Sequence, residues 1–255
     1  MFGGGARAPL VCPYLKPLTS LRAYRHVMLD MNGTFLFDFD NFGPEQDFGA
    51  SYASLGYASV SPAEAHRRVR AAYDYMAPRY EDPAFYADFP TVAEALRATA
   101  GRVLAKAELG ELVDTFARHE LGRLPDEHAA AIQRLSAMRP LSVLSNLWAP
   151  PARWEASLTR CGLRQNFVQM VYSCEGRHIK PHPAIFEWAL NGLGLAPSEV
   201  LYVGDSYRCD VGGARAAGLD VVWLHGERPV PPTLPPGVYA APDLVSWISA
   251  LKIPA

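Results

Sequence analysis

The chain has 255 residues, 49% of them hydrophobic and 20% charged, with 24 Lys and Arg against 26 Asp and Glu for a formal net charge of −2. That apolar content can fill a large buried core and excludes a disordered chain, which would be poor in hydrophobics and far from neutral. The balanced charge argues against non-specific nucleic-acid binding, which needs a cationic surface. No run approaches the ~20 apolar residues that span a bilayer. Neither nucleic acid nor membrane is therefore an expected partner. Cys12, Cys161, Cys174 and Cys209 lack CxxC spacing, so reduced thiols in the cytoplasm are the expectation.

Residues 1–22, with their Gly and Pro, read as a loose leader without the sustained apolar stretch of a signal peptide. His26-Val-Met-Leu-Asp30 is a continuous apolar run ending in a carboxylate, as expected for a strand covered on both faces of a parallel sheet. Residues 44–122 then read as helical. Ser61-Pro-Ala-Glu64 resembles a capping box before a helix over 65–76, and 91–100 and 107–121 are further helices. Strands and helices alternate afterwards. Helices are expected at 125–138, 150–161, 183–193 and 209–217, with Gly162 and Gly218 as stops. Strands are expected at 141–145, 200–203 and 220–224, and a weaker one at 167–173. This alternation predicts an α/β fold, a three-layer Rossmann-like open parallel sheet. Residues 23–43 and 123–255 form the expected core, and 44–122 an inserted helical cap domain.

Four stretches carry polar residues where open α/β sheets place ligands, at strand ends and helix starts. The first is Asp30-Met31-Asn32-Gly33-Thr34, which alone could be an ordinary Asn-Gly turn. Ser145-Asn146 ends another strand and could hold an anionic oxygen or simply mark a loop. Lys180 precedes Pro181 and Pro183, which stiffen the chain ahead of a helix; any single lysine more often lies at a surface. Gly204-Asp205 ends a strand, and Asp210 follows at a helix start, where acids can merely complement the helix dipole. Brought together, Asp30, Asp205 and Asp210 would need a cation to offset their repulsion, and oxygen ligands of this kind select Mg²⁺.

In order and spacing these motifs resemble the haloacid dehalogenase-like (HAD) hydrolase superfamily over roughly residues 24–250. Its members carry Asp-x-Asp-Gly-Thr, a strand ending in Ser or Thr, a lysine before a helix, and Gly-Asp-x-x-x-x-Asp, many with a cap after the first motif. The resemblance implies Asp30 as the nucleophile forming an aspartyl-phosphate and Lys180 as the cation neutralising it. Ser145, with Asn146, Gly33 and Thr34, would bind the substrate's phosphoryl group. Mg²⁺ would be held by Asp30, the backbone carbonyl of Asn32, Asp205 and Asp210. The implied partner is a small phosphorylated substrate.

The sequence departs from the phosphatase pattern at Asn32, where an aspartate protonates the leaving alkoxide and then activates water. An amide cannot move a proton near neutral pH, and losing a general acid–base forfeits ~10²–10⁴ in rate. Three outcomes follow: a substrate such as an acyl phosphate whose leaving group needs no proton, an acid supplied by Asp38, Asp40 or Asp47, or phospholigand or partner binding without turnover. Dehalogenation is the less favoured activity, because those members need no Mg²⁺ and the late acids remain here. In the cap, Arg67, Arg68, Arg70 and Arg79 could clamp an anion or decorate a wet face. Tyr73, Tyr75 and Tyr80 are expected to pack, and His182 either orients Lys180 or lies idle.

Overall fold

Runs of uninterrupted apolar sequence can be strands only where both faces are covered, and the computed structural model, which describes residues 18–252, covers them. Three strands are buried along their whole length: β1 (His26–Leu29), β2 (Leu141–Ser145) and β4 (Val200–Gly204). β3 (Phe167–Tyr172), β5 (Asp220–Leu224) and β6 (Val238–Ala241) complete a parallel sheet in the order β3-β2-β1-β4-β5-β6. β6 was not expected. It has four residues, is half-exposed at the sheet edge, and follows a proline-rich stretch, so its pattern is legible only beside β5.

Alternate side chains of each strand enter opposite layers. Val27, Leu29, Val143 and Leu201 pack with Ile132 and Leu135 of α5 (Asp126–Ser136), with Trp154 and Leu158 of α6 (Ala152–Arg160), and with Trp247 of α10 (Leu244–Ala250). Met28, Leu144 and Tyr202 face Ile185 and Phe186 of α8 (Pro183–Leu193) and Ala214 of α9 (Gly213–Ala216). A single-turn helix, α7 (Ser173–Gly176), follows β3. The helix expected over 209–217 is instead a π-helical turn, Tyr207–Gly212, running into α9, with the Ser206 hydroxyl accepting from the Cys209 amide at its start.

Between β1 and α5 lie α1 (Phe48–Ser54), α2 (Pro62–Glu81), α3 (Val92–Thr99) and α4 (Lys106–Glu120). Ser61 caps α2 by accepting from Glu64 N at 3.2 Å, but the helix runs on to Glu81 through Pro78. The reciprocal capping box is at Thr91 and Glu94. Tyr52, Val69, Ala72, Met76, Leu96, Leu112 and Phe116 bury the facing sides of this block.

The leader expected over 1–22 lies outside the described residues as far as residue 17, Cys12 included. Residues 18–22 are packed rather than loose: Leu21 is buried, Leu18 O accepts from Trp247 Nε1 at 3.1 Å, and Thr19 O from Lys252 N at 2.8 Å. No described helix is long and apolar enough to cross a membrane.

Candidate active site

From β1 the sheet grows outward through β2 to β3, then the chain crosses back to β4 on the other side of β1. Strand order therefore reverses beside β1, and the loops at the carboxyl ends of β1 and β4 part to leave a crevice. Asp30 enters it directly after β1, its amide donating to Val203 O at 2.8 Å. Ser145 is the last residue of β2, and its hydroxyl donates to Asp30 Oδ1 at 3.0 Å. Asp205 follows β4, and Asp210 sits in the π-helical turn.

Lys180 arrives from the segment before α8. The Asn146 side chain grips its backbone, accepting from Lys180 N at 2.8 Å and donating to Lys180 O at 3.1 Å. The ammonium lies 2.7 Å from both Asp30 Oδ1 and Asp210 Oδ1 and donates to Tyr202 Oη at 3.0 Å. At 2% exposure this is a buried bridge between two acids. Burial pushes the Asp30 carboxyl up to about 6, with Lys180 pulling against it and Asp210 adding to it. Asp205 is pushed up to about 7 by burial and by the charges of Asp210 and Asp30. Burial alone would lower Lys180, but Asp210 and Asp30 outweigh it and hold the ammonium above its ordinary range.

One carboxylate oxygen from each of Asp30, Asp205 and Asp210 lies within 4.8 Å of the others. This all-oxygen set suits a hard divalent cation. The backbone is shaped to it. Gly33 turns at φ +79°, and a Cβ there would sit 2.6 Å from Asp205 Oδ1; a Cβ on Gly204 would strike the Asp210 carboxylate. Asp210 Oδ1 already accepts from Lys180 and Tyr202, and Oδ2 from Ser206 N. With about four lone-pair sites on a carboxylate, Asp210 keeps little free capacity beyond anchoring Lys180.

Not every expected contact is available. Asn146 lines the main cavity, but its amide is engaged by Lys180 and Tyr80 Oη, so its side chain positions the lysine. The Gly33 amide donates to Leu36 O, so that residue contributes space. Thr34 is buried with Oγ1 unpartnered among the described residues, and with Gly33 it borders a separate cavity of about 140 Å³ against Asp205 and Arg228. Asn32 lines the main cavity, its Oδ1 buried without a partner among the described residues. His182 caps α8 through Nδ1, accepting from Ala184 N at 3.3 Å.

The main cavity measures about 480 Å³. Asp30, Ser145, Lys180, Asp205 and Asp210 line it from the sheet side; Asp40, Tyr73, Tyr80 and Glu120, from the segment between β1 and α5, line it with Trp148. Its lining carries six carboxyl groups (Asp30, Asp40, Glu81, Glu120, Asp205, Asp210) and one ammonium, Lys180. The helical arginines are elsewhere. Arg67 pairs with Glu64, Arg68 with Glu64 and Glu108, Arg70 donates to Phe42 O and Gly43 O, and Arg79 covers the Tyr75 ring. Tyr73 and Tyr80 flank Trp148 at ring-centroid distances of 5.8 and 5.5 Å. Glu120 was missed in the sequence. An acid in the last turn of a helix opposes the helix dipole, which is the signal that could have exposed it. Its two oxygens accept from Trp148 N (2.7 Å) and Ala149 N (2.9 Å), while burial and the Asp40 charge push it up to about 8.

A carboxylate, a hydroxyl and a shared ammonium meet at a sheet switch point beside two further acids, an arrangement chemically capable of nucleophilic displacement. The family model described as haloacid dehalogenase-like hydrolase matches residues 24–218, and the chain belongs to that family. It is 33% identical to the phosphoserine phosphatase of Thermus thermophilus over 154 residues, 59% of this chain and 57% of that protein. It is 35% identical to the (S)-2-haloacid dehalogenase of Xanthobacter autotrophicus over 140 residues, 53% of each. The chain thus spans little more than half the length of these curated relatives. In fold it is similar to a 2-haloacid dehalogenase from Pseudomonas syringae pv. Tomato, with TM-score 0.63, 19% identity, and coverage of 89% of this chain and 97% of that one.

Proposed function

We propose that the protein is an Mg²⁺-dependent phosphoryl-transfer hydrolase, working through an aspartyl-phosphate on Asp30 and acting on a small phosphorylated metabolite. The observation that carries this reading is the Lys180 ammonium, 2.7 Å from both Asp30 and Asp210. Such an arrangement keeps an acid whose burial raises it to about 6 ionised, hence nucleophilic, at neutral pH. Asp30 attacks phosphorus, the bond to the leaving oxygen breaks, and water then cleaves the acyl phosphate. Ser145, whose hydroxyl donates to Asp30 in this structure, would turn it to a phosphoryl oxygen. Asp205, the Asn32 carbonyl and Asp30, with Asp210 directly or through water, would hold Mg²⁺, which when bound supplies positive charge against the phosphoryl oxygens. Lys180 balances Asp30 before transfer and the phosphoryl charge after it.

Acetyl phosphate tests this, since its leaving acetate needs no proton. Turnover dependent on Mg²⁺ and abolished by Asp30→Ala is expected. Mg²⁺ with beryllium fluoride should raise the melting temperature of the wild type and not of Asp30→Ala. Turnover without metal, or stabilisation indifferent to Asp30, would count against the reading; indifference together with no turnover favours a binding or regulatory role.

Halide displacement is the second reading, favoured by Asn32, because a departing halide needs no proton. The six carboxyls of the cavity weigh against it, since without a metal an anionic haloacid would meet Lys180 as the one cation among the described lining residues. Chloride release from 2-chloropropionate in chelator would reverse that order.

A further inference from the structure

We propose that Asp40 moves the proton that Asn32 cannot, as general acid to the leaving oxygen and then as general base to the attacking water. This rests on the phosphoryl-transfer reading above. Three aspartates follow Thr34 in the flap, and the structure separates them. Asp38 is exposed and pairs with Arg123 at 3.2 Å. Asp47 caps α1, accepting from Ala50 N at 2.9 Å. Asp40 lines the cavity that also holds Asp30, Lys180 and Asp205.

Its position is set by backbone. Phe37 and Arg123 exchange amide–carbonyl bonds of 2.8 and 2.6 Å, Asn41 N donates to His119 O at 2.8 Å, and Phe42 N donates to Asp40 O at 2.8 Å. Asp38 and Asp40 both take left-handed backbone, φ 55° and 54°, a conformation that Asp and Asn tolerate better than other side chains. This corner turns Phe39 and Asp40 to the cavity. Tyr73, Tyr80 and Glu81 of α2, and Glu120 of α4, share the lining with it, and Asp30 and Lys180 lie on the sheet side. Asp40, like Asp38, is exposed, but it borders this cavity, and desolvation by the surrounding protein pushes its carboxyl up to about 7. A group with that value is both protonated and ionised in useful amounts near neutrality, as acid–base work in both directions requires.

The step balances without a further reactant. As the Asp30 oxygen bonds to phosphorus and the bond from phosphorus to the leaving oxygen breaks, the Asp40 proton passes to that oxygen, releasing a neutral alcohol. The Asp40 carboxylate then takes a proton from water as the water oxygen attacks the aspartyl-phosphate. Phosphate leaves, Asp30 is again a carboxylate and Asp40 again an acid.

The test compares ethyl phosphate, a poor leaving group, with acetyl phosphate by kcat/KM, which reads the first transfer alone. Asp40→Asn keeps the size and the tolerance for left-handed backbone. It should lower kcat/KM on ethyl phosphate by ~10²–10⁴ more than on acetyl phosphate. In the wild type, kcat/KM on ethyl phosphate should fall as pH rises past about 7, and kcat/KM on acetyl phosphate should not. Equal losses on both substrates, a missing alkaline limb, or no wild-type turnover of ethyl phosphate beside good turnover of acetyl phosphate each overturns the role of Asp40 while leaving the phosphoryl-transfer reading intact. Failure of both substrates overturns both.

Discussion

Mg²⁺ affinity should depend steeply on pH, because a metal at this site must displace protons from raised carboxyls. With Asp30 at about 6 and Asp205 at about 7, both are largely ionised at pH 8. At pH 5 Asp30 is about ten-to-one protonated and Asp205 about a hundred-to-one. Treated as independent, the two factors multiply to a loss of about 1,000-fold in affinity between pH 8 and pH 5, or about 4 kcal/mol. Titration calorimetry at several pH values, in buffers of differing ionisation heat, measures both the affinity and the protons released. Near pH 6 between one and two protons should be released per ion, and Asp205→Asn should remove the larger part. Affinity that changes less than tenfold over this range, or binding without proton release, would refute the argument that burial holds these acids up.

Gly33→Ala should keep the fold and lose Mg²⁺ binding, since its Cβ would sit 2.6 Å from Asp205 Oδ1; Gly56→Ala, with a similar φ of +80° but open space around it, is the control for backbone strain alone. Gly56→Ala should lose ~1–2 kcal/mol of stability and Gly33→Ala at least as much, with calorimetry separating their metal binding. Glu120 is raised from its ordinary 4.5 to about 8 in the fold, so the native state binds the extra proton between those values and wild-type stability falls as pH rises through that window. Relative to wild type, Glu120→Gln should therefore gain stability across pH 4.5–8, by up to about 4–5 kcal/mol, in urea melts; a difference independent of pH would contradict this.

Much of the sheet was legible because β1, β2, β4 and β5 are continuous apolar runs, and such runs have few alternatives when they end in polar residues at helix starts. β6 was not, since an edge strand needs cover on fewer sides and its four residues carry no pattern of their own. Asp30, Ser145, Lys180, Asp205 and Asp210 were readable as a set, and the structure brings them together. What local sequence does not encode is the rest of the hydrogen-bond inventory. Asn146 looks like a ligand-binding amide until Lys180 and Tyr80 are found to occupy it, and Gly33 looks like an amide donor until Leu36 takes its N–H. The arginines of α2 likewise find acids, carbonyls or rings on neighbouring segments. Distinguishing Asp40 from Asp38 required knowing which residue of the flap borders the cavity, a matter of tertiary placement, since residue type and backbone φ are the same for both.

The outgoing flap and the returning chain after α4 are stitched to each other through Phe37 and Arg123, so the helical block hangs from the core by a paired ribbon. A second tie joins the block to the core, from Phe89 N to Arg177 O and from Ile179 N to Tyr86 O. Asp40, on one crossing, donates its amide to Glu120 O on the other at 3.4 Å. The two acids are thus laced into the same seam, so a substitution that loosens either crossing would reach both of them.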